Sequence, residues 1–86
     1  MKVFGTSMIY VRQAKPYANG NRQVRVIVAT KSKAAAARAL GVSPHFMTDY
    51  ASETSNPIEV EKATASPGVP LFCDERGDGG WHEFKL

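Results

Sequence analysis

Two runs rich in β-branched residues, Met8-Ile9-Tyr10-Val11-Arg12 and Val24-Arg25-Val26-Ile27-Val28, flank an Asn19-Gly20 pair, and they constrain the fold more than any other stretch. Val, Ile and Tyr suit a pleated, half-buried surface, and Asn-Gly tolerates the positive φ angles of a type I′ turn. Residues 1–29 are therefore expected to form a β-hairpin. With Asn19 and Gly20 as the central pair, residues whose numbers sum to 39 face each other, which sets Val11 opposite Val28 and Arg12 opposite Ile27. One face then carries Ile9, Val11, Val24, Val26 and Val28, and the other carries Tyr10, Arg12, Arg25 and Ile27. The aliphatic face is the expected core side.

Residues 30–66 read as helical. A cap at Thr30 or Ser32 opens KAAAARAL, and Gly41 suits the left-handed position that closes it. Ser43-Pro44 restarts a helix with Phe46, Met47 and Tyr50 on one side, all three expected in the core. Asn56, Pro57 and Glu59 have the spacing of a cap, a first helical residue and a capping-box acid, and this third helix should end before Pro67-Gly68. Two strands, 69–73 and 81–86, then form a second hairpin across the loop at 74–80. The expectation is a single α+β domain over 1–86: a four-stranded antiparallel sheet in the order ββαααββ, with the helices packed on one face. Ile58, Leu71, Phe72 and Trp81 complete the expected core.

At 86 residues the chain has room for one modest core. Cys73 is the single cysteine, so neither an intramolecular disulfide nor a cysteine-based zinc site can staple it. That favours a reducing, cytoplasmic setting, and the amino-terminal stretch has neither the apolar core of a signal peptide nor a membrane span. The net charge of +3 conceals a segregation. Residues 1–38 carry Lys2, Arg12, Lys15, Arg22, Arg25, Lys31, Lys33 and Arg38 and no acid, whereas residues 39–86 carry a net −5.

The segment 33–52, KAAAARALGVSPHFMTDYAS, resembles the helix-turn-helix pattern, with Ala37 at the small-residue position, Gly41 in the turn, and Leu40, Val42, Met47 and Tyr50 at buried positions. That resemblance implies a second helix that reads base edges in the major groove. Residues 43–53, however, hold Asp49 and Glu53 and no lysine or arginine, the side chains on which phosphate and guanine contacts mainly rest. The helix pair is expected to serve packing. Across residues 29–67 the chain also resembles short bacteriophage and prophage proteins, through KAAAARALGVS, Tyr50-Ala51-Ser52-Glu53-Thr54 and SPGV. The resemblance implies an accessory role, either binding nucleic acid or blocking a host complex as anti-CRISPR and anti-restriction inhibitors do.

The basic hairpin is the expected binding element. Tyr10, Arg12 and Arg25 share its solvent face, Lys15 and Arg22 lie near the tip, and Lys31 and Lys33 follow it, a mixture of cations and a stackable ring that suits a nucleic-acid backbone. An acidic surface of a host protein is the alternative partner, and pairing of the arginines with the chain's own acids is the third possibility. Catalysis has little support. Cys73 with His45 or His82 could form a thiol-imidazole pair, but it lies in an apolar run, where it is expected to act as a small hydrophobe, and Asp74, Glu75 and Asp78 lack EF-hand spacing. With no phosphate loop, Ser-His-Asp order or HExxH, the expectation is a binding module without catalytic residue, metal or cofactor.

Overall fold

A computed structural model describes residues 1–10, 22–73 and 80–84, with the backbone alone at 8–10, 22 and 23. The elements are β1 (Lys2–Tyr10), β2 (Arg22–Thr30), α1 (Lys33–Leu40), α2 (Pro44–Tyr50), β3 (Ser52–Glu53), α3 (Pro57–Ala65), β4 (Leu71–Cys73) and β5 (Trp81–Glu83). The α+β class holds, but the described sheet has five strands, ordered β3-β1-β2-β4-β5 and antiparallel at every junction. The strand absent from the expected order ββαααββ is β3, two residues long and too short to leave a periodic signal.

The helices lie on both faces of the sheet, which corrects the one-sided arrangement. On one side Phe4, Val24, Val26 and Val28 pack with Ala36, Ala37 and Leu40 of α1, Met47 of α2, and Phe72 and Phe84. On the other, Val3, Ile27 and Ala29 pack with Ala63 of α3, joined by the half-buried Val60, Leu71 and Trp81. The central strand β2 is thus buried twice over, and Val26, Ile27, Val28 and Ala29 are all 0% exposed. A strand covered on both faces reads as a continuous apolar run, and VIVA is that run.

The β1–β2 register also differs from the expectation. Phe4 pairs with Val28, Gly5 with Ile27 and Tyr10 with Arg22, so Val11 does not face Val28 and Arg12 does not face Ile27. Under the Asn19-Gly20 register, Val3 and Phe4 would sit opposite Ala36 and Ala35, which α1 removes from the sheet. The observed ladder runs from Lys2↔Thr30 to Tyr10↔Arg22 and buries Val3, Phe4 and Thr6. Long-range burial outweighs the local turn signal. The Asn19-Gly20 turn itself falls outside the described residues.

Helix boundaries follow the chemistry of their ends. Ser32 caps α1 by accepting from the Ala35 N–H at 3.2 Å, and Gly41 closes it at φ 70°. Ser43 caps α2 by accepting from the Phe46 N–H at 3.1 Å. Met47 faces the core, but Tyr50 is 68% exposed and Ile58 62% exposed, so neither belongs to the core assigned from the sequence. An i, i+4 spacing cannot by itself say how wide the buried stripe is on a helix of two turns. No described helix is long and apolar enough to cross a membrane.

Met47→Ala should cost about 2–5 kcal/mol of unfolding free energy, as a buried large-to-small change does, whereas Tyr50→Ala should cost under about 1 kcal/mol. Urea titration of the two variants checks the ranking.

Candidate binding surface

Arg25 stands opposite Ser7 on β1 and Cys73 on β4, on the α3 side of the sheet. A cation in that position needs a partner, because the neighbouring residue of the same face, Ile27, is fully buried. Glu59 of α3 supplies it. The Arg25 Nε donates to Glu59 Oε2 at 2.8 Å and Nη2 donates to Oε1 at 3.0 Å, a two-point contact between planar groups. The side chains are 33% and 11% exposed respectively.

Two further residues complete the arrangement. The Thr54 hydroxyl donates to Glu59 Oε1 at 2.7 Å and accepts from the Asn56 N–H at 3.2 Å. Gly5 lies beneath the guanidinium, and a Cβ there would come within 2.7 Å of Arg25 Cζ. Glycine is needed at this position for close approach, because an added methyl would occupy the space of the cation. The capping-box role expected of Glu59 is therefore not the one it plays. Asn56 caps α3 alone, its Oδ1 accepting from Ile58 and Glu59 N–H at 3.0 and 3.3 Å, while Glu59 turns to the sheet.

The hydrogen bonds from Arg25 hold the Glu59 carboxyl below its ordinary value of 4.5, against the opposing effect of burial, and the Thr54 hydroxyl adds to the lowering. The Arg25 guanidinium is raised in turn, chiefly by the same hydrogen bonding to Glu59. Of the basic residues assigned to the binding surface, Arg25 is thus neutralised by an acid of the second half of the chain. Its register position is also three steps from the Tyr10↔Arg22 pair and of opposite parity to it, so Tyr10 and Arg25 do not share a face.

The other candidates separate along the hairpin. Lys31 and Lys33 are exposed at its open end, beside the amino terminus of α1. Lys2 joins them, since it is exposed and paired with Thr30, the residue before Lys31; its contribution was missed because strand pairing, not sequence proximity, brings it there. None of the three forms an ion pair among the described residues, where Arg25–Glu59 is the one such pair. The first turn of α1 contains no acid, so its positive end adds to the same field. Arg12 and Lys15 lie outside the described residues, and for Tyr10 and Arg22 the backbone alone is described. The ladder from Lys2↔Thr30 to Tyr10↔Arg22 is eight steps, about 27 Å at a strand's rise per residue.

Cys73 is half-buried in β4, and among the described residues no group of three His, Cys, Asp or Glu side chains is placed to hold a metal ion. Compared with known proteins, the chain matches no family model, no curated protein and no solved structure.

Glu59 has a folded-state pKa below its unfolded one, so the stability it contributes is present above about pH 4.5 and is lost as the pH falls through the lowered value. Glu59→Gln should cost about 1–3 kcal/mol at pH 7 and flatten the acid limb of the stability profile, read from urea midpoints at pH 7, 5 and 3. Gly5→Ala should displace the guanidinium and cost a similar amount. In an Arg25→Ala background its cost should fall by more than half, which a double-mutant cycle measures.

Proposed function

We propose that the protein is a small accessory module of the bacteriophage type that binds nucleic acid without catalysing a reaction, gripping the phosphate backbone through cations of its first 38 residues. The observation that carries this reading is the cluster of Lys2, Lys31 and Lys33 at the open end of the hairpin, exposed and unpaired with any carboxylate among the described residues. Three lysines beside the positive end of a helix suit phosphate oxygens, and they carry no means of reading bases, so the binding is of the sequence-independent kind. The neutralisation of Arg25 moves the proposed contact away from the middle of the hairpin to its ends. Arg12, Lys15 and Arg22 belong to the sequence region at the far end. A hairpin about 27 Å long spans about eight nucleotides at the charge spacing of one DNA strand.

A second reading, an inhibitor or adaptor that docks on a host protein, is favoured by the exposed Tyr50 ring, packed 5.1 Å from Phe46 on α2. An isolated aromatic pair on a surface is a common anchor for protein partners.

The experiment is fluorescence anisotropy with a labelled random duplex and a labelled oligo-dT at several salt concentrations. Affinity should fall steeply with salt, and reversing Lys2, Lys31 and Lys33 to glutamate should lower the salt slope by about three. Reversal of Arg12, Lys15 and Arg22 tests the far end in the same way. Binding that neither triple reversal alters, or no binding at low salt, overturns the reading.

A further inference from the structure

Two exposed carboxylates flank the aromatic pair of α2. Tyr50 is 68% exposed, and its ring packs 5.1 Å from that of the half-buried Phe46. Asp49 is exposed, adjoins Tyr50 and follows Phe46 by three residues, a spacing that sets its side chain beside the rings on one side of the helix. The chain leaving α2 brings a second acid to the same place. Glu53 of β3 pairs with Phe4 of β1, and Phe4 belongs to the core on the α1 and α2 side, so Glu53 stands on that side of the sheet, exposed. Thr6 has the parity of Phe4, and its hydroxyl donates to the Tyr50 carbonyl at 2.8 Å. Tyr50 and Glu53 are therefore anchored two positions apart on β1, about 7 Å along the strand. Neither Asp49 nor Glu53 has an ion-pair partner among the described residues, and residues 39–61 contain no lysine or arginine. Lys2, on the same face two positions beyond Phe4, bounds the patch.

We infer that Tyr50, flanked by Asp49 and Glu53, is a docking site for an extended, arginine-bearing segment of a partner protein. A guanidinium stacks on an aromatic face and presents a planar fork of donors that a carboxylate accepts, whereas an ammonium offers only a point charge. The exposed ring and the two unpaired acids supply both kinds of contact. An interval of about 7 Å matches residues i and i+2 of an extended chain, whose side chains lie on one side. Arginine at alternate positions then reaches the ring with Asp49, and next Glu53. The same acids repel a phosphate backbone. A second copy laid face to face would set Asp49 and Glu53 against their own counterparts, like charges together. The inference rests on the second reading above, in which Tyr50 anchors a protein partner, and gives the docked segment a charge: basic, although the chain itself carries +3.

The test uses the full chain labelled with ¹⁵N, the blocked peptides (Gly-Arg)4, (Gly-Lys)4, (Gly-Glu)4 and (Ser-Leu)4, and oligo-dT. The arginine peptide should shift the amide signals of Asp49, Tyr50 and Glu53 saturably, the lysine peptide should bind about threefold more weakly, and the acidic peptide and oligo-dT should leave those signals unmoved. Asp49→Lys with Glu53→Lys should weaken the arginine peptide about tenfold, and Tyr50→Ala about threefold. Glu61→Lys, an equal charge change at an exposed position of α3 on the opposite face of the sheet, should leave its affinity unaltered, which separates a local contact from an effect of net charge. If the double reversal fails to fold, Asp49→Asn with Glu53→Gln gives the same reading. Equal shifts with (Ser-Leu)4 would keep Tyr50 as an anchor and overturn the charge assigned to its partner, whereas no shift at Tyr50 with any peptide would overturn both. An arginine affinity indifferent to the double reversal, or shifts at Asp49 and Tyr50 that appear without peptide as protein concentration rises, would also overturn the inference, the latter by giving the patch to a second copy.

Discussion

Burial of β2 on both faces is the constraint on which the rest of the structure depends. A strand flanked by neighbours on two sides and by helices above and below has no direction left in which to place a polar group cheaply. Val26, Ile27, Val28 and Ala29 meet that condition without exposing any surface. Each face then requires its own cover, and the chain provides α1 and α2 for one and α3 for the other. To reach the second face it must round the edge of the sheet. The two-residue β3 is that passage, tied to β1 at Phe4 and Gly5.

Arg25 sits next to this run and shows how a charge is accommodated beside it. The guanidinium lies over Gly5, its hydrogen bonds run to Glu59, and Glu59 is further held by Thr54. The result is a polar joint between sheet and helix, more directional than the small apolar contact of Ala63 with Val3, Ile27 and Ala29. It fixes where α3 sits along the strand, a role in specificity as much as in stability.

Much of this was legible in the sequence, and the failures share a physical origin. Caps at Ser32, Ser43 and Asn56 and the terminating Gly41 were readable because they are decided within four residues of chain. The α+β class followed from the alternation of β-branched runs with capped helical stretches. What could not be read locally was decided by partners distant in sequence. The register followed the burial of Val3 and Phe4 and not the Asn-Gly pair, and Glu59 answered to a residue 34 positions away and not to its own helix end. The placement of α3 on the opposite face had a visible signal in the unbroken VIVA run, since a one-sided sheet would show alternation there. At the candidate surface, charge segregation was legible from composition, but the pairing of Arg25 and the grouping of Lys2 with Lys31 arise only when the strands align.

Gly5 contributes to this protein by what it lacks, and that makes it part of a unit larger than itself. The empty space above its Cα is filled by a side chain from the next strand, whose charge is answered from a helix and whose partner is steadied by a threonine at the end of β3. Positions 5, 25, 54 and 59 are thereby bound to vary together: a relative that carries a side chain at the first should have surrendered the cation at the second and the acid at the fourth. Where that exchange has occurred, α3 would keep its place through apolar packing and the backbone bonds from Thr54 to Val3 and from Gly68 to Ala29 at its two ends.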